Sequence, residues 1–141
     1  MDKRTGRCDI AGSMDSFERT VVETPTVTMT LDEEGIILVA PHDDTEQTAE
    51  DARENCRAGR ELAAGRRVAV MVDTRVQTPP SREAQQVYVD DNWACAMALI
   101  FDSTFSRVSA NFFIRVARPK WPVKGFSDVA EARAWLRDQL A

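Results

Sequence analysis

At 141 residues the chain has room for one domain and not for two of ordinary size, and a core on that scale needs no disulfide or metal staple. Its 43% hydrophobic and 29% charged residues are those of an ordinary soluble globule. The formal charge is −5, with Lys and Arg scattered among the acids, which excludes the basic footprint of a nucleic-acid binder or of a protein drawn to an anionic membrane surface.

Residues 1–13 hold Lys3, Arg4 and Arg7 but no apolar stretch, so they do not read as a signal peptide. Their small and polar content predicts a disordered arm over residues 1–16 ahead of a single domain over 17–141, with Met14 as a candidate internal start. The longest apolar run, about residues 94–101, falls far short of the ~20 residues needed to cross a bilayer. Cys8, Cys56 and Cys95 share no metal-ligand spacing, and their odd number without an export signal predicts a reducing, cytoplasmic location and no metal site.

Residues 17–30 alternate and are rich in Val and Thr, which is strand composition; Pro25 makes the strand an edge or starts it afresh. Asp32-Glu33-Glu34-Gly35 is a turn, residues 36–40 are a continuous apolar run, and together the segments predict a β-hairpin. Thr45 or Thr48 then caps a helix in which Ala49, Ala52, Cys56, Gly59 and Ala63 share one face, ending near Ala64-Gly65. Residues 68–72 form a second apolar run, read as a buried parallel strand that completes a βαβ unit.

After a polar loop over 74–80, Ser81 precedes a helix with Ala84, Val87 and Tyr88, together with Trp93 or Cys95, on its apolar stripe. A strand follows over 96–101, then a helix over 104–117. The apolar Phe112-Phe113-Ile114 covers more than one face of that helix and predicts a homodimer. Trp121, between two prolines, is read as a surface anchor or an interface aromatic. Residues 124–126 make a short last strand, and Ser127 or Asp128 caps a final helix with Val129, Ala132, Trp135, Leu136 and Leu140 on its stripe. The expected fold class is α/β: a small mixed sheet of four to five strands, an N-terminal hairpin and then βαβ units, flanked by about four helices.

No phosphate-binding glycine loop, dinucleotide fingerprint or nucleophile elbow occurs, so no catalytic residue and no cofactor is assigned and the chain is not expected to be an enzyme. The one histidine, His42, lies in Pro41-His42-Asp43-Asp44 and reads as a solvated loop residue. What remains is positional, because ligands of open α/β sheets gather outside the carboxyl ends of parallel strands. Asp73 and Arg75 follow one such strand, Asp102 and Ser103 another, and Ser81 starts the helix between them. Arg107, Asn111 and Arg115 share a helix face at i, i+4, i+8.

These residues form a candidate ligand or partner edge that would converge on an anion or a partner carboxylate. The alternative is local: Asp102 or Ser103 caps a helix, and Arg75 pairs with Asp73. Ser81 is likewise either a plain N-cap or a phosphorylation site, since a helix N-terminus favours added negative charge; Thr74 and Thr78 are weaker candidates.

Three segments, VAVMVDTRVQTPPSREAQQVY, ALIFDSTFSRVSANFFIRVARPKWPVKGFSD and the closing EARAWL, together resemble the STAS or anti-sigma-factor-antagonist-like (SpoIIAA-like) superfamily, in an uncharacterised bacterial branch. The resemblance spans about residues 27–140 and implies a STAS-like sheet flanked by helices, with regulation through an unidentified partner protein. In the well-understood antagonists a cognate kinase phosphorylates the serine of an Asp-Ser pair at a helix start. Here Pro80-Ser81 stands in that place without the following Ser-Gly. The first functional reading is therefore a non-enzymatic regulatory or protein-interaction module. A small apolar ligand, as in the related fold of CRAL-TRIO lipid-transfer proteins, is second, and an enzyme of unknown type is third.

Overall fold

Pro25 sets the first departure from the sequence reading. A computed structural model of the chain describes residues 20–42, 46–75, 79–91, 93–102, 108, 114–115 and 121–141. Its elements run β1 (Thr20–Glu23), β2 (Val27–Leu31), β3 (Ile36–Pro41), α1 (Ala49–Ala63), β4 (Ala69–Asp73), α2 (Arg82–Asp90), β5 (Met97–Ile100), β6 (Val123–Phe126) and α3 (Val129–Leu140). The strands form one six-stranded sheet in chain order. β1–β2 and β2–β3 are antiparallel, and β3–β4, β4–β5 and β5–β6 are parallel.

The mixed α/β architecture is the expected one, but six strands replace the four to five predicted. The run over residues 17–30 is not one strand broken by proline. Its described part is a hairpin with Pro25 in the turn, where a fixed φ and a missing donor suit it. The Thr24 amide donates to the Val27 carbonyl at 2.9 Å, and Thr24 Oγ1 accepts from the amides of Thr26 (3.3 Å) and Val27 (3.1 Å). The arm predicted over 1–16 lies outside the described residues, as does the helix predicted over 104–117 apart from Val108, Ile114 and Arg115.

Strand alternation divides the core between two faces. Val27, Met29, Leu31, Ile37, Val39, Val70, Met97 and Leu99 pack with Ala58, Leu62 and Ala63 of α1. Ile36, Ala69, Met71, Ala98, Ile100 and Phe126 pack with Ala132 and Leu136 of α3. β3, β4 and β5 are covered on both faces, which is why they read as continuous apolar runs. Trp121 is not a surface anchor: it is 5% exposed within the first cluster. β6 begins only two residues later and its register starts at Met97↔Val123, so the chain at Trp121 is already committed to the core.

Thr48, rather than Thr45, caps α1 in a reciprocal box with Asp51. Asp128 caps α3 by accepting from Ala130 and Glu131 amides. α2 packs chiefly against α1, and Arg60 of α1 forks onto the Asp91 carboxylate at the end of α2. At the amino end of β3, Asp32 and Glu34 of the hairpin turn hold α3. Arg133 Nη1 lies 2.8 Å from Asp32 Oδ2 and 2.8 Å from Glu34 Oε1, and Arg137 Nε lies 2.5 Å from Glu34 Oε2. These guanidiniums, Arg137 foremost, hold the Glu34 carboxyl below the usual carboxylate range. No helix among the described residues is long and apolar enough to cross a membrane.

Gly59 shows how closely α1 is approached. A methyl group added there would fall 2.4 Å from Cη2 of Trp93, which packs against the first core cluster. Alanine is the better helix former by about 1 kcal/mol, while overpacking a filled site costs about 1–3 kcal/mol. Gly59→Ala is therefore expected to lower unfolding stability in urea by about 1 kcal/mol; a rise in the midpoint would show that the indole swings aside freely.

Candidate functional site

The parallel strands β3 to β6 end on one edge, and their last residues place the polar groups there. Asp73 closes β4 and turns back on its own loop: Arg75 donates to it through Nε (2.9 Å to Oδ1), Nη2 (2.9 Å to Oδ2) and the backbone amide (3.0 Å to Oδ1). This forked, charge-assisted pair holds the Asp73 carboxyl below its ordinary value, against a partial burial that acts the other way. Asp102, just past β5, adds a weaker attraction at Arg75. Of the two sequence readings, the local one describes this pair: Arg75 engages Asp73. The Thr74 amide donates to the Ile100 carbonyl at 2.9 Å and its hydroxyl to the same oxygen, tying β4 to β5. Ser103, Arg107, Asn111 and Thr78 lie outside the described residues, and Arg115 is exposed.

Ser81 stands with a different set of partners. Its Oγ accepts from the Ala84 amide at 3.1 Å as the N-cap of α2, and its own amide donates to the Gln47 carbonyl at 3.0 Å. So the structure joins Asp73 to Arg75, with Asp102 acting on Arg75 through its field, and seats Ser81 against the segment that leads into α1.

That segment opens onto a buried polar network which the sequence reading missed. Asn55, on α1, is 2% exposed, and its amide is engaged on both sides. Its Oδ1 accepts from Thr24 Oγ1 at 2.7 Å, and its Nδ2 donates to Thr26 Oγ1 and to the Tyr88 hydroxyl, each at 3.0 Å. The Tyr88 hydroxyl in turn donates to Gln47 Oε1 in a short bond. Burial pushes the Tyr88 phenol above its ordinary value. The signal available was Asn55 itself, a carboxamide on the apolar face of a helix between Ala52 and Gly59; its partners lie 29–33 residues away and had no signal.

His42 is not simply a solvated loop residue. Nδ1 lies 3.1 Å from the Pro25 carbonyl, which can only accept, so this nitrogen carries a proton. Nε2 meets Thr28 Oγ1 at 3.0 Å, with Glu23 Oε2 at 3.6 Å, so the ring clasps the β1–β2 hairpin to the end of β3. The Cys56 thiol beside the network is pushed up to about 12, first by burial and then by the Asp91 carboxylate. No group of three or more His, Cys, Asp or Glu side chains able to hold a metal ion occurs among the described residues.

Residues 29–140 match the model of the family described as Domain of unknown function (DUF7793), and the chain belongs to that family. No curated protein matches it in sequence. Among solved structures it is similar to an uncharacterised protein of the DUF3478 family from Shewanella loihica PV-4, described as having a SpoIIAA-like fold. That match has a TM-score of 0.54 at 13% identity and covers 84% of this chain and 91% of the other. A protein with unknown function from Arthrobacter sp. FB24 matches with a TM-score of 0.32 at 29% identity, covering 77% of this chain and 96% of that one. The first likeness shows the fold, and it is the SpoIIAA-like fold that the sequence resemblance implied.

The Asp73–Arg75 pair gives a direct test. A carboxyl whose folded pKa is depressed contributes stability above its unfolded value and loses it as pH falls through the folded value. The Asp73 carboxyl carbon followed by NMR is expected to titrate below 3.8, and Arg75→Ala to raise its midpoint, because the guanidinium is lost while partial burial stays and the residue-75 amide still donates. An unchanged midpoint in the variant would mean that the pair does not form in solution.

Proposed function

We propose that this chain is a non-enzymatic regulatory module that acts by binding a partner protein, with Ser81 at the start of α2 as its control point. One observation carries the reading. Ser81 is half-buried at the N-cap of a nine-residue helix, the one that follows the central parallel strand β4 in the chain. That is the place where the antagonists that the sequence resembles carry their phosphorylated serine. Added phosphate there meets the first-turn amides, that of Ala84 included, and the positive end of the helix dipole, so the fold tolerates the charge.

The state of the other polar groups supports a binding role over a chemical one. Asp73 is paired to Arg75, the Tyr88 hydroxyl lies between Gln47 and Asn55, and the Cys56 thiol stays protonated at neutral pH. None of these is an acid, base or nucleophile poised near neutrality. The same reading keeps a cytoplasmic location and a homodimer as part of the proposal.

The experiment compares proteins co-purified with the tagged chain from its native cells for the wild type, Ser81→Asp and Ser81→Ala. Aspartate caps a helix about as well as serine, so Ser81→Asp keeps the fold, whereas Ser81→Ala loses about 1 kcal/mol of cap stability. A partner is expected whose recovery changes at least about tenfold in Ser81→Asp, a difference of about 1.4 kcal/mol in binding, and which Ser81→Ala retains. Equal recovery of every partner across the three proteins would overturn Ser81 as the control point.

A further inference from the structure

The buried network does more than fill a polar gap, because its bonds form one continuous path between two places on the surface. It starts at Ser81, whose amide donates to the Gln47 carbonyl at 3.0 Å. The Gln47 side chain accepts from the Tyr88 hydroxyl, and that hydroxyl accepts from Asn55 at 3.0 Å. Asn55 then meets Thr24 at 2.7 Å and Thr26 at 3.0 Å. Thr24 Oγ1 shapes the β1–β2 turn by accepting from the Thr26 and Val27 amides, and the Thr26 carbonyl accepts from the His42 amide at 2.8 Å.

The bonds as placed are mutually consistent, each proton on the path meeting one acceptor. Tyr88 has one hydroxyl proton, and the Gln47 oxygen takes it, so Tyr88 must accept from Asn55. The Asn55 amide has two protons, and Tyr88 and Thr26 take both, which leaves its oxygen for Thr24. Gln47, Asn55, Thr24 and Thr26 are all under one-tenth exposed, so water is not at hand to replace a lost partner. A shift at one end therefore either carries along the path or strands a buried polar group, at a cost of about 1–3 kcal/mol.

We infer that the N-terminal turn of α2 and the β1–β2 turn are a coupled pair, so that a negative group placed on Ser81 alters the Thr24–Val27 turn through Gln47, Tyr88 and Asn55, and a partner seated on either turn is felt at the other. The functional meaning of the link rests on Ser81 being the control point; the link itself does not. The negative group would lie next to the amide that Gln47 holds and repel its carbonyl oxygen, moving the first member of the path.

The test is backbone amide hydrogen exchange on the full chain without any partner. Wild type and Ser81→Asp are each compared in the native background and with Tyr88→Phe, which removes only the linking hydroxyl. In the native background Ser81→Asp is expected to change exchange at Thr26, Val27 and His42 by at least about fivefold, the lower end of usual coupling between sites. With Tyr88→Phe the change at those three amides disappears, while the change at Ala84 and Gln85 in α2 remains. Gln47→Met, of similar size, repeats the break should Tyr88→Phe unfold the chain. No change at the hairpin turn in the native background, or an equal change with the path cut, overturns the coupling. Because no partner is present, a missing partner overturns the functional reading alone, and a missing response at the turn overturns the coupling alone.

Discussion

A single buried carboxamide sets the terms for half of this fold. Asn55 takes a position on the sheet-facing side of α1 that an apolar residue would fill at no polar cost, and the chain surrounds it with Thr24, Thr26 and Tyr88. The β1–β2 turn has to be tight enough to bring both threonines to the amide, and Pro25 between them makes it so. α2 buries only Ala84 and Val89 fully, so apolar contact alone would leave its rotation on α1 loosely defined. Tyr88 adds a directional constraint to that rotation, because its hydroxyl bonds Asn55 of α1 and Gln47 ahead of it.

The two ends of the sheet are consequently held in different ways. At the amino end of β3, charge does the holding: Asp32 and Glu34 grip Arg133 and Arg137, and Arg67 reaches the Gln139 carbonyl at 2.8 Å. Such pairs are partly exposed and weaken with salt or with acid that protonates Glu34, whose depressed titration keeps the grip intact down to the lower carboxylate range. At the opposite end, neutral buried hydrogen bonds join Asn55 of α1, Tyr88 of α2 and the hairpin threonines and respond little to either, while the Asp73–Arg75 pair on that edge and the Arg60–Asp91 pair between α1 and α2 are ionic.

What the sequence disclosed and what it hid divide along physical lines. Local signals were reliable: the capping residues Thr48, Ser81 and Asp128, the apolar runs of β3 to β5 and the stripe of α3 all follow from near neighbours in the chain. Pro25 was legible as a break but not as a turn, because a proline at an edge and a proline in a hairpin leave the same trace. Trp121 looked superficial from its flanking prolines, yet pairing of β6 with β5, a non-local event, carries it inside. The Asp73–Arg75 pair was foreseen as one of two outcomes, since a spacing of two permits it without demanding it. The network was illegible for the opposite reason: Asn55, Tyr88, Thr24 and Gln47 come from four separate segments, and only the assembled fold gives them a common address.

The order of the strands has a consequence for how the molecule comes into being. Because each strand pairs with the one before it, the sheet can be laid down in the order of synthesis, starting from a hairpin that closes within a few residues. Each later strand joins an edge already present, so closure entropy is met in small instalments rather than in one long search. The exception is the last helix, which returns across 101 residues to the hairpin turn at Asp32. Among the described residues α3 is the helix that covers Met71, Ala98 and Ile100, so a chain in which α3 has not yet docked exposes that apolar face. The arginine grip on α3 therefore acts as a latch, and its speed of closing decides how long that face is open to aggregation.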